Sequence, residues 1–128
     1  MATKKTPSRS KELEREVTKK VKQYLELRGW RGVRMQRTVV SGSFQAGEPG
    51  EADMLFVRYR ANGNVPRTGH DMIWIEFKSP TGHLGPKQIE WIERERKRGA
   101  MVEVVDDPEA FRLFYEKTFG ISGQMTLK

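Results

Sequence analysis

An acid and a base stand two positions apart in the apolar run "DMIWIEFK", residues 71–78. This run predicts a strand, and because side chains alternate along a strand, Glu76 and Lys78 share one face. The opposite face carries the residues expected in the core, which are Ile73, Ile75 and Phe77. Taken alone, an acid beside a lysine is more typical of a solvated salt bridge at a strand end. The competing interpretation is the chemical centre of a metal-dependent hydrolase.

A second acid, Asp53, follows the loop residues "PGEA" and opens the apolar run "MLFVRYR". The ordinary role of such an aspartate is in a turn. If the strands that carry Asp53 and Glu76 form an antiparallel hairpin, the start of one strand lies near the end of the other, so the two carboxylates can meet. Paired carboxylates repel each other, and they are ligands that hard cations such as Mg²⁺ use. A lysine on the same face could then orient or deprotonate a water, or offset charge on a phosphoryl transition state.

A third acid, Glu14, lies in a helix predicted over about residues 10–28. The apolar residues of this helix recur at helical spacing: Leu13, Val17, Val21, Tyr24 and Leu25. At about 100° per residue, Glu14 falls in the same arc as Val21. Glu12 and Glu16 point away from that arc. An acid on a packing face is either a boundary residue at the helix edge or a member of a site, and the sequence leaves both readings open.

The elements that position these residues are predicted in the order α-β-β-β-α-β-α. After the first helix, strands are predicted at 33–40, 52–60 and 71–78, a helix from 86 to 98, a strand at 100–105 and a helix at 106–119. The segments 41–50 and 61–70 are predicted as loop and turn. A helix between the third and fourth strands implies a crossover. These two strands should therefore lie parallel in a mixed sheet with helices on both faces.

The composition predicts one soluble domain. The chain has 128 residues, of which 36% are hydrophobic and 32% charged, enough for a single modest core. We expect a disordered basic arm at residues 1–10, the domain at 11–119 and a tail at 120–128. No run approaches the roughly 18 apolar residues of a membrane span, and the basic start lacks the apolar stretch of a secretory signal. We therefore expect a cytoplasmic protein with no membrane partner.

The chain has no cysteine and only two histidines. The missing cysteines exclude disulfides, thiol nucleophiles and cysteine-based zinc sites. The two histidines, His70 and His83, stand in turn-like surroundings, which argues against a histidine-based zinc site. Any metal in this chain should therefore have oxygen ligands.

The positive charge is concentrated at the start of the chain. Residues 1–37 hold 12 Lys and Arg and 4 Glu, a net charge of +8, whereas residues 38–128 hold 12 basic and 13 acidic residues, a net charge of −1. Clustered cations are the footprint of a phosphate-rich partner. A solubilising charged helix with a flexible tail explains the same charge. If the partner is DNA, we expect the backbone contacts at Lys19, Lys20, Lys22, Arg34 and Arg37.

Two motifs and the first helix resemble those of the VRR-NUC family in the PD-(D/E)XK nuclease superfamily. The motifs are "PGEAD" and "WIEFKSPTGHLGPKQIEWIERERKRGAMVEVVDD", and the resemblance covers roughly residues 12–112. It implies Asp53 and Glu76 as metal ligands, Lys78 as the catalytic lysine and Gln88 as a site residue at the start of the next helix. It also favours Glu14 as the helix acid. Similar sequences often have a hydroxyl residue to cap that next helix, where this chain has glycine.

We therefore expect a Mg²⁺- or Mn²⁺-dependent endonuclease that hydrolyses DNA phosphodiesters. Asp53, Glu76 and the backbone carbonyl of Phe77 are the expected metal ligands. Stand-alone members of the family, which bacteriophages and bacteria often encode, look like dimeric Holliday junction resolvases, so the resemblance implies a homodimer that acts on branched DNA. Apolar residues without an obvious place in a small core could cover the dimer interface, and ordinary packing at the edge of the core explains them equally well: Trp30, Phe44, Ile121 and Met125.

Two rival interpretations remain open. The basic first third of the chain is sufficient for a non-catalytic nucleic-acid-binding domain. Alternatively, the chain is an adaptor module in which Glu76 and Lys78 form only a salt bridge. Both rivals leave Asp53 and Glu14 without a role.

Overall fold

The computed structural model of this chain describes residues 9–35, 39–40, 44–45, 50–62 and 65–120. The helices in these ranges are α1 (Arg9–Glu26), α2 (Pro86–Lys97) and α3 (Pro108–Phe119). The strands are β1 (Arg31–Arg34), β2 (Val39–Val40), β3 (Phe44–Gln45), β4 (Met54–Asn62), β5 (Val65–Phe77) and β6 (Val102–Val105). The predicted arm and tail lie almost entirely outside the described residues, so those two assignments stay predictions.

A four-stranded sheet in the order β1-β4-β5-β6 forms the centre of the fold. β4 is antiparallel to both β1 and β5, and β5 is parallel to β6. α2 makes the crossover between the two parallel strands. The predicted mixed sheet and the order α-β-β-β-α-β-α are therefore confirmed, with β1, β4, β5 and β6 as the four strands.

Two connecting segments differ from the prediction. The strand predicted at 33–40 is divided into β1 and β2, and β2 pairs with β3 inside the predicted loop. The turn predicted at 61–70 is largely strand, because β5 begins at Val65 and pairs there with the end of β4. Glycine, proline and asparagine in this segment lower its local strand propensity, but cross-strand pairing overrides such propensities.

α1 and α3 cover one face of the sheet. The buried residues of α1 are Val17, Val21 and Leu25, and those of α3 are Phe111 and Tyr115. They pack against the predicted core side of β5, where Ile73, Ile75 and Phe77 are at most 2% exposed. This part of the core was therefore predicted correctly from strand alternation.

Trp30 belongs to this core and does not cover a dimer interface, which corrects the expectation from the sequence. It is 3% exposed, and its indole N–H donates to the Tyr115 hydroxyl at 2.9 Å. The reason is that α3 folds back over the start of β1 and encloses the indole between aromatic rings. The side chains of Phe44, Ile121 and Met125 lie outside the described part of the chain.

α2 covers the other face beside β5 and β6. Its buried residues, Trp91 and Ile92, form a second, smaller core with Ala52 and Val102. Because α2 follows the end of β5 and runs back across the sheet, its first turn lies near the carboxyl end of β5. Among the described helices, none is long and apolar enough to cross a membrane.

Candidate active site

The two predicted carboxylates meet at the open end of the β4–β5 hairpin. Met54 and Ile75 are paired at this end, so Asp53 precedes the paired region on one strand and Glu76 follows it on the other. The Asp53 carboxylate accepts a hydrogen bond at Oδ2 from the backbone N–H of Phe77 at 2.9 Å. The hairpin therefore brings the two acids together and ties Asp53 to β5.

Glu76 is a buried carboxylate with an incomplete set of partners. Its side chain is 4% exposed. Oε2 accepts a hydrogen bond from Gln88 Nε2 at 2.6 Å and lies 3.4 Å from the Lys78 ammonium. Oε1 is buried and has no hydrogen-bond partner among the described residues.

The electrostatic surroundings of Glu76 disfavour its negative charge. Burial, and after it the negative charge of Asp53, raise the pKa of Glu76 to about 7, although Lys78 acts in the opposite direction. A carboxylate in these surroundings takes up a proton or a cation more readily than an exposed one. The positive charge of Lys78 therefore does not fully offset burial and the repulsion from Asp53.

Lys78 shares a face with Glu76, as predicted, and its side chain is 19% exposed. The Lys78 backbone N–H donates to the Val105 carbonyl at 3.0 Å, so it points toward β6. Because N–H and C=O groups alternate in direction along a strand, the N–H and C=O of Phe77 point to the opposite side, toward Asp53. The predicted ligand atom, the Phe77 carbonyl oxygen, thus lies on the Asp53 side of β5.

Gln88 links Glu76 to the first turn of α2. Its side-chain oxygen accepts a hydrogen bond from the Gly85 N–H at 2.9 Å. The amide nitrogen of Gln88 therefore faces Glu76. Gly85 has no side chain to cap α2, but this contact supplies one half of a capping box. Although Gly85 departs from the family pattern, its backbone N–H at the start of the helix still has a partner, the side-chain oxygen of Gln88.

Glu14 lies near the carboxylate pair without joining it. It is half-buried on α1, and its negative charge also raises the pKa of Glu76 to a small extent. Within the ranges that the structure describes, no three His, Cys, Asp or Glu side chains group closely enough to hold a metal ion together. Glu14 is therefore an electrostatic neighbour of the pair.

The oxygen donors at the hairpin end suit a hard divalent cation. They are the carboxylates of Asp53 and Glu76 and the carbonyl of Phe77. Mg²⁺ and Mn²⁺ prefer such ligands, and a cation would both pair the free Oε1 of Glu76 and relieve the repulsion between the acids. The residues present thus fit a bound metal ion.

A basic cleft opens between α1 and β1 beside Glu14. It has a volume of about 480 Å³ and is lined by Glu14, Arg15, Thr18, Lys19, Lys22 and Arg34. Four cations and one carboxylate give this lining a net charge of +3. Such a surface is suited to a polyanion.

The basic cleft contains part of the predicted DNA surface. Lys19, Lys22 and Arg34 line it, whereas Lys20 is exposed outside it. Arg37 lies outside the described residues. Arg15 was missed, although it precedes Lys19 by four positions and Lys22 by seven, a spacing that places all three on one helix face.

The second acid-x-Lys pair, Glu95 and Lys97, has no comparable surroundings. Glu95 pairs with the guanidinium of Arg98 at 2.7 Å, and Lys97 is exposed on α2. This pair therefore lies on a solvated face of α2. The acid and the lysine have the same spacing in both pairs. The deeper burial of Glu76, whose side chain is 4% exposed against 15% for Glu95, distinguishes them.

The mixed four-stranded sheet with its flanking helices is consistent with the α/β core of a PD-(D/E)XK-type nuclease domain. The family model of the VRR-NUC domain matches residues 12–106, so the chain belongs to the VRR-NUC family and the suspected family is confirmed. No curated protein sequence matches the chain. Membership implies a nuclease-type function with DNA as the substrate, in a family that generally depends on divalent metals.

Proposed function

We propose that this protein is an endonuclease that hydrolyses DNA phosphodiester bonds and requires Mg²⁺ or Mn²⁺. The observation that carries the proposal is the buried Oε1 of Glu76, which lies beside a second carboxylate and has no hydrogen-bond partner in the described part of the chain. A buried acid with a purely structural role normally has its hydrogen-bonding capacity filled. In a VRR-NUC domain, a buried carboxylate oxygen with no hydrogen-bond partner among the described residues is best explained as a metal ligand.

Asp53, Glu76 and the Phe77 carbonyl would hold the metal ion. When bound, the ion supplies Lewis-acid catalysis and lowers the pKa of a bound water. Gln88 and Lys78 occupy Oε2 of Glu76 and leave Oε1 available.

Lys78 brings a positive charge to the same strand face. From there it can orient the attacking water and offset the negative charge that develops on the phosphoryl oxygens. Glu14 adds a carboxylate at the boundary between this site and the basic cleft. The basic cleft would hold the phosphate backbone of the substrate next to the reacting bond.

A panel of labelled DNA structures tests the proposal. Single strands, linear duplexes, flaps and four-way junctions are incubated with Mg²⁺, Mn²⁺, Ca²⁺ or EDTA, and both binding and cleavage are measured. We expect cleavage with Mg²⁺ or Mn²⁺ and none with EDTA. Binding without cleavage under every condition would instead identify the rival, a non-catalytic basic nucleic-acid-binding domain.

We further propose that the active form is a homodimer that cuts branched DNA. Each domain offers one site, whereas resolution of a four-way junction takes two cuts in opposite strands, which a two-fold dimer supplies. The support is the resemblance of stand-alone family members to dimeric Holliday junction resolvases. Sedimentation at micromolar concentration, combined with junction cleavage, tests it. A strict monomer that nicks only flaps or linear duplex would contradict the dimer and leave the nuclease proposal intact.

A further inference from the structure

Gly50 packs its backbone directly against the first turn of α2. Its φ is +81°, a conformation that side-chain-bearing residues rarely adopt. A Cβ on Gly50 would lie 2.1 Å from the carbonyl oxygen of Lys87, 2.5 Å from its carbonyl carbon and 2.9 Å from the backbone nitrogen of Gln88. These are backbone atoms, so no side-chain rotation relieves the contact. Only glycine fits at this point.

The contact joins the two segments that bear on Glu76. Gly50 stands three residues before Asp53, and the peptide bond that it touches leads into Gln88. Ala52, between Gly50 and Asp53, is 2% exposed and packs in the small core with Trp91. The loop before β4 and the start of α2 therefore pack together as one unit.

An added Cβ would displace the first turn of α2 more readily than Asp53. Asp53 is anchored by the hydrogen bond to Phe77 and by the strand pairing that begins at the next residue. Gln88 sits in the first turn of its helix, where the backbone N–H groups lack intrahelical partners. Its 2.6 Å bond to Glu76 depends on where that turn lies.

We propose that Gly50 is a positioning residue that holds Gln88 within hydrogen-bonding range of Glu76 and so sets the geometry of the metal site. The proposal rests on the metal site proposed above. Mg²⁺ demands near-ideal octahedral geometry, whereas Ca²⁺ accepts flexible arrangements. A displaced Gln88 therefore weakens Mg²⁺ binding more than Ca²⁺ binding.

Calorimetric titration of the full chain with Mg²⁺ and with Ca²⁺, without DNA, tests this role. We expect Gly50→Ala to weaken Mg²⁺ binding by roughly 10- to 100-fold, the usual effect of disturbing residues that orient metal ligands. The effect on Ca²⁺ should be smaller. If Gly50 acts through Gln88, the double variant Gly50→Ala/Gln88→Ala binds Mg²⁺ within about two-fold of Gln88→Ala alone.

Gly99 provides the matched control at the other end of α2. Its φ is +103°, and a Cβ there meets no atom of the described residues within 4 Å. Gly99→Ala therefore introduces the same kind of backbone strain without the contact. We expect it to lower the melting temperature while leaving the ratio of Mg²⁺ to Ca²⁺ affinity as in the wild type.

In the metal titrations, either of two outcomes overturns the role of Gly50. Either Gly50→Ala keeps the wild-type ratio of metal affinities, or its effect and that of Gln88→Ala add fully in the double variant. A wild-type chain that binds neither ion contradicts the metal site itself, which is a different result.

A second variant covers the case in which Gly50→Ala does not fold. Pro86→Gly loosens the first turn of α2, so that the turn can yield to the added methyl group. We expect the double variant Gly50→Ala/Pro86→Gly to fold by circular dichroism and to bind Mg²⁺ as weakly as Gln88→Ala, with Pro86→Gly alone as its control. If this double variant is also unfolded, Gly50 serves stability and the proposal is wrong.

Discussion

The β4–β5 hairpin buries two acids, one in its middle and one at its open end, and the two acids have opposite surroundings. Asp71, in the middle of β5, is paired across the strands with Arg58, whose guanidinium donates to Asp71 Oδ2 at 2.8 and 3.1 Å. Arg58 also donates to the Tyr115 hydroxyl and lies over the ring of Trp30. The charge of Asp71 is balanced by a guanidinium that packs into the main core.

Glu76, at the open end of the hairpin, is at least as deeply buried as Asp71, with side chains 4% and 8% exposed. Its partners are an amide and an ammonium at 3.4 Å, and one oxygen has none in the described part of the chain. The pair of Asp71 with Arg58 in the middle of the hairpin thus stabilises the fold, whereas the open end keeps an incompletely paired charge at Glu76. Such an unbalanced group, on the same rigid scaffold as a balanced one, indicates function.

The largest expected effect is on catalysis at the Glu76 end. Lys78→Ala should lower the cleavage rate by about 10²- to 10⁴-fold, while binding to DNA in Ca²⁺ and the melting temperature stay close to wild type. Gel assays of cleavage and fluorescence anisotropy measure the two properties. Lys97→Ala, from the solvated acid-x-Lys pair, is the matched control and should cleave normally. Purified Lys78→Ala that still cleaves would contradict the proposed mechanism.

The next effect distinguishes the two buried acids by stability. Asp71→Ala leaves Arg58 without its counter-ion and should lower the free energy of unfolding by about 3–5 kcal/mol. Glu76→Gln, in EDTA, removes a repelled charge and should leave stability unchanged or increase it. Urea denaturation of both variants measures this. Equal losses would mean that the two buried acids of the hairpin have the same role in stability.

A smaller effect is the pH dependence of stability in the metal-free protein. The pKa of Glu76 is raised from 4.5 to about 7, so between these values the folded state binds more protons than the unfolded state. The stability that protonation of Glu76 contributes is therefore fully present below pH 4.5 and is lost as the pH rises to about 7.

The difference between wild type and Glu76→Gln in EDTA isolates this titration. We expect the wild type to lose stability relative to Glu76→Gln as pH rises through that window. Mg²⁺ should stabilise the wild type more at about pH 8 than at about pH 5, because protons compete with the metal. Parallel pH profiles of the two proteins would show that Glu76 is not perturbed.

The smallest effect concerns the basic cleft, which neither end of the hairpin contains. Replacing Lys19 and Lys22 by alanine should weaken binding to all DNA sequences and reduce the slope of log affinity against log salt by about 2. Lys20→Ala, outside the cleft, should change the slope less. Binding is measured in the Lys78→Ala background to prevent cleavage. An unchanged slope in the double variant would place the DNA surface elsewhere.

Strand alternation was sufficient to predict which side of β5 enters the core. Ile73 and Phe77 are buried on one face, while Glu76 and Lys78 share the other, because alternation is a local property of the backbone. The order of elements and the parallel pairing of β5 with β6 followed from the crossover helix. Local sequence also indicated the acids, since their types and motifs are independent of packing.

Contacts between segments that lie far apart in the chain could not be predicted from the sequence. Trp30 looked like a spare apolar residue because its partner, Tyr115, stands 85 positions away. Gln88 donates to Oε2 of Glu76, and Oε1 has no partner among the described residues. Which oxygen Gln88 reaches depends on how α2 packs against the sheet. The contact of Gly50 with the Lys87–Gln88 peptide is of the same kind. The sequence by itself determined which residue types were available and which face they share. The tertiary structure decided which of them are left without partners, because burial and hydrogen bonding depend on packing between segments.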